Sequence, residues 1–134
     1  MMVAGLHVTP DFLATLRHLL APAVAAAGFV LVDASAWGDD PEVLIGLLEY
    51  RADIEGARLL LGFYEDVASA TITGELWSPD RLRHAQPTLG ADGVAFRRIT
   101  RRYSRAADPW PLACEISDEV ATWLAPLRML TIGR

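Results

Sequence analysis

The chain has 134 residues, 52% hydrophobic and 22% charged, with a net charge of −5. That length suits one domain with a proper core, and the composition excludes disorder. A lone cysteine, Cys114, excludes an internal disulfide scaffold, and the acidity argues against a general nucleic-acid or anionic-membrane binder.

Lysine and asparagine are both absent, and all twelve basic residues are arginine. Their codons share AA at the first two positions, so a GC-rich, bacterial-type genome explains the bias more simply than selection for guanidinium chemistry. Residues 19–32 follow Arg17 and His18 and resemble a leader segment, but Pro22 interrupts the run and Asp11 precedes it. The segment is therefore expected to belong to the fold. No run is long and apolar enough to span a membrane, and a cytoplasmic location is expected.

Thr9-Pro10-Asp11 joins a hydroxyl N-cap, a proline at the first helical position and an acid in the first turn. Phe12, Leu13, Leu16, Leu19, Leu20, Ala23, Val24 and Ala27 then recur at helical spacing, with a kink predicted at Pro22 and a stop at Gly28. Residues 29–36 read as a first strand. Residues 42–52, 57–65 and 68–77 read as three more, joined by short links at 53–56 and 66–67, which implies antiparallel pairing.

A four-residue loop at 53–56 sets Ala52 opposite Ala57, Tyr50 opposite Leu59, Leu48 opposite Leu61, Gly46 opposite Phe63 and Arg51 opposite Arg58. One face is then nearly continuous apolar surface, extended on the fourth strand by Ala68, Ala70, Ile72, Gly74 and Leu76. The other face carries Glu49, Arg51, Arg58, Ser69, Thr71 and Thr73, yet also Val43, Ile45, Leu47, Leu60 and Tyr64. That apolar group is too large for a fully solvated surface and marks a candidate interface.

Ser78-Pro79-Asp80 repeats the cap-and-proline pattern and predicts a short helix to about His84, followed by loop at 87–93. Residues 94–104 fit a fifth strand, with a helix as the alternative. Asp108-Pro109-Trp110-Pro111 reads as a stiff turn before a final helix to about Leu124, closed by Pro126. The predicted architecture is one α+β domain over 1–134: an N-terminal helix, an antiparallel four- to five-stranded meander, and a C-terminal helix packed on one sheet face.

Arg97, Arg98, Arg101, Arg102 and Arg105 lie within nine residues. On a helix they share one basic face suited to phosphate or carboxylate; on a strand they split between two sides and guard an exposed edge. The acidic turn Asp39, Asp40, Glu42 lacks the ligand spacing of a calcium loop. The histidines His7, His18 and His84 form no legible triad with Cys114, which reads as a small buried hydrophobe. Trp37 and Trp77 close strands and are candidates to border a pocket near Asp39 and Asp40, while Gly46, Gly62 and Gly74 are candidates for close approach by a helix or ligand. No phosphate-loop, dinucleotide, zinc-protease or nucleophile-elbow motif occurs.

These residues predict a non-enzymatic interaction module without cofactor or metal, self-associating as a homodimer or binding a partner protein through the mixed sheet face. A small-ligand domain or weakly marked enzyme, with a pocket between sheet and helices, is the first alternative. Anion or nucleic-acid binding through the arginine cluster is the second.

Overall fold

The first helix owes its position to a stripe of side chains and to the way its last turn is closed. In a computed structural model of the chain, which describes residues 11–37, 44–54, 57–78, 95–104 and 107–132, α1 spans Asp11–Ala26. Phe12, Leu13, Leu16, Leu20, Val24 and Ala27 are all buried, with Leu19 and Ala23 packed at the margin. The helix runs on through Pro22, because Val24 and Ala27 beyond it are held in the core. It ends in a Schellman motif: Phe29 N–H donates to the Val24 carbonyl at 2.9 Å, and Gly28 N–H to Ala25 at 3.1 Å. Gly28 takes the positive φ of 84° that this stop requires.

The strands are β1 (Val30–Trp37), β2 (Ile45–Ile54), β3 (Ala57–Asp66), β4 (Thr71–Trp77) and β5 (Ala95–Arg102). They form one sheet in chain order, with every neighbour antiparallel. Residues 95–102 are thus strand. The predicted short helix and loop between β4 and β5 lie outside the described residues.

The β2–β3 register corrects the prediction. Pairing continues to Ile54↔Ala57, so Ala52 lies opposite Leu59, Tyr50 opposite Leu61 and Leu48 opposite Phe63. The longer ladder satisfies more backbone groups and sets Asp53 opposite Arg58, where the predicted alignment faced two arginines. Because the slide is two residues, no side chain changes face. The β3–β4 link is also longer than predicted. Residues 67–70 form a turn, with Asp66 Oδ1 accepting from Ala68 N–H at 3.1 Å and Ala70 at a left-handed φ of 54°.

The second helix, α2, spans Trp110–Ile132. Asp108 Oδ1 accepts from Trp110 N–H at 3.0 Å, so Asp108-Pro109 is a cap-and-proline helix start and not merely a turn. Pro126 does not close this helix. The missing bond to the Thr122 carbonyl costs about 3 kcal/mol, but Leu127 is fully buried just beyond and holds the next turn in place.

Both helices lie on the same side of the sheet. Leu48, Tyr50, Leu59, Leu61, Phe63, Ile72 and Leu76 meet α1 and the buried residues Ala113, Ile116, Val120, Trp123, Leu124 and Leu127 of α2. Gly74 is the close approach within this core. A Cβ there would lie 2.8 Å from Phe63 Cε1 and 3.3 Å from Ile99 Cγ2, so side chains of the two flanking strands meet over it. The predicted approach of a helix or ligand is replaced by this strand-to-strand contact.

Candidate interaction face

Strand alternation sends every second side chain away from the helices, and the four registers arrange these into rows. One row reads Trp37, Ile45, Asp66, Thr71, Arg102; the next reads Ser35, Leu47, Tyr64, Thr73, Thr100. A third holds Asp33, Glu49, Gly62, Glu75 and Arg98, and a fourth holds Val30, Arg51, Leu60 and Trp77. Four of the five candidate interface residues, Ile45, Leu47, Leu60 and Tyr64, therefore share this face; Val43 lies outside the described residues.

The face is divided. Its β1–β3 end carries Trp37, Ile45 and Tyr64, which are 41%, 49% and 40% exposed, around half-buried Leu47. Its β4–β5 side carries Thr71, Thr73, Thr100 and Arg102, with the Thr73 and Thr100 hydroxyls 3.3 Å apart. Along one side of both runs the charged row, where Arg98 Nε donates to Glu75 Oε2 at 2.7 Å. The Tyr64 ring leans over Gly62, whose absent Cβ would lie 3.9 Å from Tyr64 Cε2. Partial burial raises the Tyr64 hydroxyl above its ordinary pKa, and the Glu49 and Glu75 carboxylates raise it further.

Trp37, Val30 and Trp77 escaped the sequence reading of this face. A bulge between Leu31 and Asp33 breaks the alternation of β1, so no simple parity places Trp37 beside Ile45. Trp37 and Trp77 sit at opposite ends of the face, three rows or about 20 Å apart along the strands, and so do not border one pocket. The Asp39, Asp40 and Glu42 turn lies outside the described residues.

The arginines do not form one surface. Arg98 and Arg102 point to the helix-free face, while Arg97 and Arg101 alternate to the other side at the sheet margin. Arg98 pairs with Glu75, and Arg101 Nε donates to Glu115 Oε2 of α2 at 2.8 Å. Arg105 lies outside the described residues. No protein-family model, curated protein or solved structure matches the chain.

One polar site in the core also escaped the sequence reading. Glu65 lies in phase with Leu59, Leu61 and Phe63 and is 4% exposed. The Tyr103 hydroxyl donates to its Oε2 at 2.6 Å, and the Tyr103 ring stacks on Phe12 with centroids 5.2 Å apart. An acid at a core period was a legible conflict, since a buried carboxylate needs a donor, but Tyr103 stands 38 residues away in the chain. His18 is exposed on α1, Cys114 is half-buried on α2, and His7 and His84 lie outside the described residues. Among the described residues no group of three His, Cys, Asp or Glu side chains could hold a metal ion, and no helix is long and apolar enough to cross a membrane.

Proposed function

We propose that this protein is a non-catalytic interaction module that associates with a second copy of itself through the helix-free face of its sheet. The observation that carries this reading is the apolar end of that face: Trp37, Ile45 and Tyr64, each about half exposed, around Leu47. Isolated exposed hydrophobics need no explanation, but a contiguous group on a flat sheet does. Five strands spaced about 4.8 Å apart and about 25 Å long offer roughly 600 Å² of flat area per copy, near the ~800 Å² of a standard interface once side-chain relief is counted. Two such sheets pack face to face in many sandwiches, and two-fold dimers are the commonest closed assembly.

Sedimentation of the full chain at micromolar concentration should give the mass of a dimer. Ile45→Arg, at an exposed site, should weaken association about tenfold or more while leaving far-UV circular dichroism unchanged. A wild-type protein that stays monomeric at high micromolar concentration defeats self-association.

The division of the face supports a second reading, in which the partner is a different protein. A two-fold axis along the central strand would lay the apolar end over the threonine and arginine side of the other copy, a poor match. A monomeric wild type, together with a purified partner protein whose binding is lost in Ile45→Arg, would favour that reading.

A further inference from the structure

We infer that β5 is a separately opening strap: it leaves the sheet together with Tyr103, and ionic strength sets how often it does so, while the helix-covered core stays folded. This rests on how β5 is held, and is independent of what covers the helix-free face.

The strands between the two sheet edges each bury a run of apolar side chains under the helices: Leu48, Tyr50 and Ala52 on β2, Leu59, Leu61 and Phe63 on β3, Ile72 and Leu76 on β4. β5 differs. Its helix-side positions read Arg97, Ile99, Arg101, and only Ile99 is buried among its described side chains. That one side chain is a pin, seated over Gly74 against Phe63. β4 is also the only strand it pairs with among the described residues.

Polar ties replace the missing apolar contacts. Seven register pairs join β5 to β4, from Thr71↔Arg102 to Trp77↔Ala95. Arg98 pairs with Glu75 on β4, Arg101 with Glu115 on α2, and the Thr100 hydroxyl meets that of Thr73. Just past the strand, Tyr103 N–H donates to the Ala70 carbonyl at 2.9 Å, its hydroxyl reaches Glu65, and its ring lies on Phe12. Both arginines in the ion pairs are substantially exposed, at 66% and 46%, so dissolved salt screens them. Apart from the Ile99 pin and the Tyr103 ring and hydroxyl at the core margin, β5 is held by exposed polar contacts, which sets it toward the low end of the local stability range. Its departure bares the β4 edge over Thr71–Trp77 and withdraws cover from Phe63 and Glu65 of β3, while the β2–β3 ladder keeps its own pairing.

Native-state hydrogen exchange on the full chain, at low and at high salt, tests this. Amides shared between β4 and β5 are expected to open as one unit, with protection at least tenfold below that of the β2–β3 ladder. Raising the salt should lower that protection severalfold and leave the β2–β3 amides unchanged. Ile99→Ala should deepen the difference about tenfold. Since loss of Ile99 also affects the core, Arg98→Gln, at an exposed position, serves as the second variant and should remove part of the salt response. If the β5 amides exchange only with global unfolding, or if salt shifts both ladders equally, the strap does not exist.

Discussion

Phe63 and Tyr64 are neighbours on β3, yet they live in different solvents. Phe63 is fully buried between the sheet and its helices, whereas Tyr64 is 40% exposed on the face no described helix covers. The difference teaches that one central strand serves two purposes: stability is concentrated on one side, and the other is open to adopt contacts. Phe63→Ala removes a whole ring from a packed core and should cost about 3–5 kcal/mol. Tyr64→Ala should cost less than about 1 kcal/mol, because its side chain is 40% exposed and fills no closed core. Urea unfolding of the two variants checks this; comparable losses would mean that the open face is as well packed as the core.

Two glycines sharpen the same contrast with a single methyl group. At Gly74, on the helix side, an added Cβ meets the ring of fully buried Phe63 at 2.8 Å. Gly74→Ala should therefore cost about 1–3 kcal/mol by overpacking. At Gly62, on the open side, the nearest atom would be Tyr64 Cε2 at an ordinary 3.9 Å. Gly62→Ala should change stability by no more than about 0.5 kcal/mol in either direction. A large loss at Gly62 would place an occupant on that face.

The contrast between the faces was legible in the sequence because alternation has a period of two. The β2–β3 register was misplaced by two residues, yet Ile45, Leu47, Leu60 and Tyr64 still fall together, since an even slide leaves every side chain on its face. The stripe of α1 from Phe12 to Ala27 was equally plain, as were the first four strands in chain order; the fifth stood against a helical alternative over 94–104, and the structure makes it strand. What was hidden has local causes. The bulge at Val32 shifts the parity of β1, so Trp37 could not be assigned to the open face from alternation. Pro126 read as a stop, because the burial of Leu127 that carries the helix past it is a tertiary fact. Asp108-Pro109 was readable as a helix start, by the same pattern as Thr9-Pro10, but the second proline at 111 gave it the look of a turn. The arginine run could not show that Arg98 and Arg101 answer carboxylates on opposite sides of the sheet.

At pH 7 a small effect is expected where two tyrosines are compared. Tyr50 points to the helix side and is 3% exposed, with no hydrogen-bond partner for its hydroxyl among the described residues. Burial pushes its pKa up to about 12, and the Arg17 guanidinium opposes this only in part. A raised folded-state pKa means that the unfolded chain ionises first, near pH 10. The contribution of neutral Tyr50 is thus whole below pH 10 and is lost as pH rises from there to about 12. Tyr50→Phe keeps the ring and removes the orphaned hydroxyl. At pH 7 it should leave stability unchanged or raise it by up to about 1 kcal/mol. Between pH 9 and pH 11 the wild type should lose more stability than Tyr50→Phe does in denaturant titrations. Tyr64→Phe should narrow the alkaline loss less, since its partial exposure leaves its ionised form better solvated. Equal alkaline losses in the wild type and Tyr50→Phe would show that the Tyr50 hydroxyl reaches water, and that the helix-covered face is less sealed there than its packing indicates.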